Sequence, residues 1–430
     1  MRFLSTRNTA VSLSLEEALF SAMAEDGGLY FPQCLRSLEE QVLGFRELGQ
    51  NEIALRIAEH LLGEDLSERE LADLIERSLD FPLPLAEVRE RMAILELFHG
   101  PTLAFKDVGA RFMAALMGHY RRGEDRDLTI LVATSGDTGS AVAHAFLEQP
   151  GFRVVVLFPE GKISEPQRKL FTTLRGNVEA IAIRGTFDDC QRLVKRALSD
   201  KELRQSGALA SANSINVGRL LPQIFYYFIA YAQLPAGARR VVVATPSGNF
   251  GNLTAGLMAK RLGLPIDLFV AATNINDVVP EYLETGVFSP RSSRATLTNA
   301  MDVGNPSNFE RILYLYDSDI DRLRRDLAGS SHTDAEVRAT IGRVYRENGY
   351  LLDPHSAIGF LALEAQLERD PDAQGVFLGT AHPAKFPETV EDVLETKIEM
   401  PNALLERLDL QEQIVTLEPH YSELFDVLTA

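Results

Sequence analysis

Residues 128–147 read LTILVATSGDTGSAVAHAFL. LTILVA is an uncharged run of strand length, TSGDTG a turn of small polar residues, and the rest is apolar enough to pack as a buried helix. A strand without polar alternation is covered on both faces, which points to a parallel sheet. The texture recurs downstream as a strand at 153–158, the loop PEGKIS (159–164), a helix at 165–174, a strand at 178–183 and a helix at 188–198. SANSIN (211–216) then leads into one long apolar helix over 217–232. A second series follows, with a strand at 241–244, PSGNFGN (246–252), a helix at 253–262 and a strand at 266–271. It closes with a short strand at 376–378, GTAHPAKF (379–386) and a helix at 388–394.

Two such series predict an α/β chain with two open parallel-sheet domains facing each other across a cleft. The smaller is expected over 93–234 and the larger over 235–430, divided near 234–240, with an insertion or covering segment at about 278–345. Upstream, Ser14 and Glu17 stand at capping-box spacing, and Leu15, Ala18, Leu19, Ala22 and Met23 repeat at helical intervals. Amphipathic helices follow at 51–62 and 67–79, so residues 1–92 are expected to form a mostly helical N-terminal domain.

Composition narrows the function. Among 430 residues, 45% are hydrophobic and 24% charged, enough apolar surface for several cores. Lys plus Arg (43) against Asp plus Glu (61) gives a net charge of −18. That field repels phosphate backbones and anionic lipid, so neither nucleic-acid nor membrane partners are expected. The N-terminal stretch MRFLSTRNTAVSLSLEEALF has no signal-peptide pattern, and no apolar run reaches the ~18 residues of a membrane span. Cys34 and Cys190 make no disulfide framework and suit a reducing compartment, so the expected location is cytoplasmic. With no coiled-coil run, a monomer without an obligate protein partner is expected.

Three strand-to-helix loops carry candidate chemistry. In PSGNFGN, Gly248 and Gly251 let backbone approach a ligand, and N–H groups at a helix start favour phosphate. A tight turn without a ligand is the competing reading, and neither G-x-G-x-x-G nor a P-loop is present. In TSGDTG, hydroxyls and free N–H groups could hold a carboxylate, or Ser135 or Asp137 could simply cap the helix. In FHGPTLAFKD (98–107), Lys106 follows an aromatic residue after a Gly-Pro break. A lysine in apolar surroundings loses proton affinity and can form a Schiff base, although a lone lysine is more often solvated. The eight histidines show no zinc spacing, so no metal is expected. His99 and His382 lie in candidate loops, whereas His60 and His144 fall in helical patterns.

In this order, FHGPTLAFKD, ATSGDTG, PEGKIS, SANSIN, PSGNFGN and GTAHPAKF resemble the threonine synthases, in their longer bacterial and fungal branch. The resemblance runs from DGGLYFP (26–32) to about residue 394. It implies a fold-type II enzyme dependent on pyridoxal 5′-phosphate. The implied reaction turns O-phospho-L-homoserine and water into L-threonine and phosphate by γ-elimination and β-addition, the last step of threonine biosynthesis. It implies that Lys106 carries the cofactor, that Gly248, Asn249, Phe250, Gly251 and Asn252 hold its phosphate, and that Thr380 bonds its pyridine nitrogen. Ser135, Gly136, Asp137 and Thr138 would surround the substrate carboxylate and amino group. Lys162, Ser164, Asn213, Ser214, Asn216 and Arg219 would hold the substrate phosphate. A chain at −18 needs local cations there, and Lys162 and Arg219 stand nearest the motifs. A solvent-facing turn position for Lys162 and a carboxylate partner for Arg219 are the competing readings. Other readings of the whole chain are a fold-type II dehydratase or phospho-lyase, a non-catalytic ligand-binding relative, and a nicotinamide-dependent dehydrogenase.

Overall fold

Strand Leu128–Ala133, buried at every position, can be satisfied only inside a sheet. It pairs in parallel with Phe152–Pro159 on one side and Leu209–Ser211 on the other. Val178–Ile183 continues the sheet, and Val415–Leu417 completes it as the fifth, edge strand. The second sheet has six strands, in the order Leu327–Ser331, Leu268–Thr273, Val241–Pro246, Gln374–Gly379, Met92–Glu96 and Leu85–Arg89. All its pairs are parallel except the last, an antiparallel edge. The computed structural model describes residues 1–124, 127–206, 209–238 and 240–429, so Arg239, in the expected divide, lies outside the described residues.

Three expectations need correction. Strand Met92–Glu96 straddles the expected 92/93 boundary and belongs to the large sheet, where Ile94 pairs with Phe377. Its first four residues are buried, so it needs neighbours on both sides, and its partner lies far along the chain. The C-terminal residues expected in the large domain instead finish the small lobe, through strand Val415–Leu417 and helix Tyr421–Thr429 packed on helix Phe187–Ser199. The segment 278–345 is not only a cover, since Leu327–Ser331 forms an edge of the large sheet.

The long helix expected over 217–232 breaks into Val217–Leu220 and Gln223–Gln233 around Pro222, which has no N–H to continue the ladder. The second piece is buried from Gln223 to Tyr231, and the Tyr227 hydroxyl donates to the Asn252 carbonyl at 2.8 Å. The N-terminal region carries the expected helices Leu15–Ser21, Gln50–Leu62 and Glu68–Ser78. It also holds a three-stranded antiparallel sheet of Ser12–Leu13, Phe3–Ser5 and Tyr30–Pro32. One core runs from Phe3 through Tyr226 and Phe228 to Phe269, and a second lies behind the large sheet around Ile94, Phe360 and Phe377. Among the described residues no helix is long and apolar enough to cross a membrane.

Candidate active site

The carboxyl ends of Leu128–Ala133, Val241–Pro246 and Gln374–Gly379 open onto one cleft of about 940 Å³, its mouth included. This is where parallel sheets offer loops and helix starts to a ligand. Lys106 is the first residue of helix Lys106–Tyr120. Main-chain bonds from Phe105 N to Thr380 O (2.9 Å) and from His382 N to Leu103 O (3.0 Å) stitch its loop to the strand end. The loop in turn is set by Asp107, whose carboxylate accepts from Thr102 N (2.9 Å) and Thr102 Oγ1 (2.6 Å). A Cβ on Gly100 would lie 2.5 Å from that carboxylate, so only glycine fits.

The Lys106 side chain is 16% exposed, with Nζ 3.7 Å from Asp137 Oδ2 and 4.8 Å from the centre of the Phe105 ring. Burial lowers its proton affinity, Asp137 opposes this, and the Lys385 and Arg219 cations reinforce it. Asp137 is buried too, and its Oδ1 accepts from Lys385 Nζ at 2.7 Å and Gln167 Nε2 at 2.9 Å. Burial pushes the Asp137 carboxyl up, but Lys385 and Lys106 outweigh it and hold the group well below the usual carboxylate range. Lys385 is wholly buried and also donates to Thr102 O at 2.7 Å. Asp137 is thus committed to two lysines of this chain.

Opposite Lys106, the turn after Val241–Pro246 is closed by Asn252 Nδ2 donating to Pro246 O at 2.8 Å. Phe250 sits at φ +62°, and a Cβ on Gly248 would meet Ala300 O at 2.5 Å. Asn249 is pinned from both sides, donating to Ser214 Oγ (2.6 Å) and accepting from Ser307 N (2.6 Å). Among the described residues no acceptor takes the N–H groups of Gly248, Asn249 or Phe250, which precede helix Gly251–Arg261. Free N–H groups at a helix start, in a cradle that excludes a Cβ, fit a phosphate.

The cleft brings together most of the expected residues. Lys106, Ser135, Asp137, Thr138, Asn213, Ser214, Arg219 and Gly248 through Asn252 border it with Thr380. Gly136, at φ +139°, shapes the adjoining turn by donating to Thr134 Oγ1 at 2.9 Å. Three residues stand outside. Lys162 is exposed beyond the cleft. Ser164 caps helix Glu165–Thr172 and donates to Lys385 O at 3.0 Å. Asn216 is fully buried, its amide spent on Leu19 O (2.7 Å), Ser211 O (3.0 Å) and Gly218 N (2.8 Å). Arg219 is the cation at hand: burial lowers it to about 10, Nη1 donates to Ala212 O at 2.6 Å, and Nε has no hydrogen-bond partner among the described residues.

The sequence reading missed Lys385 and His355. Lys385 lies within GTAHPAKF, but a lysine in a loop carries no mark of burial. His355 borders the cleft, whereas His99 and His382 do not. His99 pairs with Glu96 at 2.7 Å, and burial pushes His382 down to about 4. No group of three or more His, Cys, Asp or Glu among the described residues is placed to hold a metal.

A half-buried amine of lowered basicity sharing a cleft with a phosphate-type turn is what an aldehyde cofactor with a phosphate tail requires, and residues 86–378 match the family model described as "Pyridoxal-phosphate dependent enzyme". The chain is therefore a pyridoxal-phosphate-dependent enzyme. Residues 2–79 match "Threonine synthase N terminus" and residues 356–427 match "Threonine synthase, C-terminal". Threonine synthase of Escherichia coli is 46% identical over 414 residues, covering 95% of each chain. The crystal structure of the Escherichia coli enzyme superposes with a TM-score of 0.95 at 44% identity, covering 100% of this chain and 99% of that one. The PLP-bound threonine synthase of Brucella melitensis gives 0.92 at 35%, covering 100% and 98%. The chain belongs to the threonine synthase family.

Proposed function

We propose that the chain converts O-phospho-L-homoserine and water to L-threonine and phosphate, with Lys106 as its acid–base residue. The observation that supports this most directly is the Lys106 amine, largely withdrawn from solvent and 3.7 Å from Asp137, bordering the same cleft as the free N–H groups of Gly248, Asn249 and Phe250. When bound, the cofactor supplies an electron sink for the pair left on a substrate carbon after proton removal. Lys106 Nζ carries one proton at a time: it takes the Cα proton and passes it to the substrate phosphate, then takes the Cβ proton and returns it at Cγ once hydrogen phosphate has left. Last, it takes a proton from the water that adds at Cβ and delivers it to Cα. Its burial keeps the amine ready to accept a proton, and Asp137, shared with Lys385, steadies the ammonium without trapping it.

Gly248, Asn249 and Phe250 offer main-chain N–H groups to the cofactor phosphate, and Thr380 lies beside the Lys106 loop to meet the ring nitrogen. Ser135 and Thr138 receive the substrate carboxylate, and Arg219, with Asn213 and Ser214, its phosphate. Arg219 takes that part rather than the exposed Lys162, because a desolvated guanidinium grips a dianion more strongly. The substrate is a small molecule, and we propose that no protein or nucleic-acid partner is needed. The free thiols of Cys34 and Cys190 support a cytoplasmic setting.

Assaying the purified holoenzyme with O-phospho-L-homoserine tests the reading. Threonine and phosphate are expected in equal amounts, and Lys106→Ala should give neither, with no borohydride-fixed cofactor on its peptide. Formation of a keto acid in place of threonine would assign the chain to a dehydratase instead.

A further inference from the structure

His355 lies at the start of helix Pro354–Arg369, buried, yet bordering the cleft. Asp353 Oδ1 accepts from the His355 main-chain N at 2.8 Å and faces ring Nδ1 at 3.0 Å, so the ring proton sits on Nδ1. Nε2 is left as an acceptor and takes the N–H of Ala300 at 3.3 Å. Both ring nitrogens are spent inside the protein, so His355 has none to exchange a proton with substrate.

What Nε2 holds is the turn Asn299–Met301, which presses on the cofactor-phosphate turn: a Cβ on Gly248 would meet Ala300 O at 2.5 Å and Met301 Cα at 2.8 Å. Four donors hold the far end of the same turn on the Asp302 carboxylate, the Thr296 N and Oγ1 and the amides of Asn274 and Asn276. Its near end reaches the opposite lobe, where Asn299 Nδ2 donates to Ser135 O at 3.4 Å. We propose that His355 is a positioning residue for cofactor binding: oriented by Asp353, it clamps the Asn299–Met301 turn against Gly248, so that the 247–252 turn is already shaped for phosphate before the cofactor arrives. The inference rests on the assignment of that turn to the cofactor phosphate.

The test compares two amides in the full-length chain stripped of cofactor and titrated with pyridoxal 5′-phosphate or with pyridoxal, which lacks the phosphate. His355→Gln can place an oxygen where Nε2 accepts from Ala300. His355→Asn is too short to do so, although it can still donate to Asp353. His355→Asn should weaken pyridoxal phosphate binding about tenfold, the scale of one buried hydrogen bond, and leave pyridoxal binding unchanged. His355→Gln should stay within about threefold of wild type. Hydrogen exchange over residues 296–303 gives a second measurement, faster in the Asn variant and unchanged in the Gln variant. Wild-type affinity in His355→Asn, equal loss of both ligands, or equal exchange in the two variants would overturn the positioning role. Gly248→Ala separates the layers. If it too leaves the preference for the phosphorylated ligand intact, the assignment of the turn fails and the inference falls with it; if only Gly248→Ala loses that preference, the inference alone fails.

Discussion

Lys385 and Asp137 are buried together at 2.7 Å, and neither advertises this in the sequence. Lys106 was legible because a Gly-Pro break, an aromatic neighbour and a helix start coincide around it. Lys385 was not, because its burial depends on Thr102 and Asp137, residues far away along the chain. Histidines show the same limit, since His144 and His355 differ only in what packs on them. His144 donates to Leu170 O at 2.8 Å, and burial pushes it down to about 4, against an ordinary value of 6.5. Between those values the unfolded chain binds a proton that the folded one refuses. Stability is therefore full above about pH 6.5 and falls as the pH drops toward 4, by roughly 3 kcal/mol from this residue. His144→Gln keeps a donor for Leu170 and should flatten that part of the stability–pH curve in urea titrations. An unchanged slope would show that His144 is not its source.

Elements were readable where their own composition decides them. Leu128–Ala133 and Val178–Ile183 fall where their apolar runs lie, and the Ser14–Glu17 spacing gives a helix start with both reciprocal bonds, Glu17 N to Ser14 Oγ at 3.2 Å and Ser14 N to Glu17 Oε2 at 2.7 Å. Leu209–Ser211, Leu327–Ser331 and Val415–Leu417 were not readable, because short edge strands with polar or exposed positions are made by their partners. The Ser14 cap also bears on the site at one remove. It starts the helix whose Leu19 carbonyl accepts from Asn216, and Asn216 caps the helix carrying Arg219. Ser14→Ala should cost about 1 kcal/mol in chemical denaturation. Cofactor absorbance should be unchanged, because no residue of that helix borders the cleft.

At the scale of the whole molecule, the two parallel sheets and their cleft followed from alternating runs and loops, while their membership did not. Both sheets borrow strands from across the chain. The segment that returns to the small lobe is fastened by Arg168, which donates to Glu412 at 2.7 and 3.0 Å, and by Lys169 on Leu408 O. Thr172 Oγ1 adds a bond to Glu412 at 2.7 Å. Arg168→Ala should cost on the order of 1 kcal/mol, because the pair is partly solvated. It should also speed limited proteolysis between residues 395 and 414 while cofactor affinity holds. Proteolysis at the wild-type rate would show that the pair does not fasten the segment.

The borrowed edge strand Val415–Leu417 has a bearing on biosynthesis. Its neighbour Val178–Ile183 leaves the ribosome long before it, as does helix Phe187–Ser199, whose Leu193 and Val194 share a core with Leu424. Until the tail arrives, the nascent lobe carries an open hydrogen-bonding rim and a bare oily face, the two features by which incomplete chains stick to one another. Closure of the lobe therefore waits on residues 415–429, and a polysome crowded with such half-finished lobes depends on chaperone cover to keep them apart.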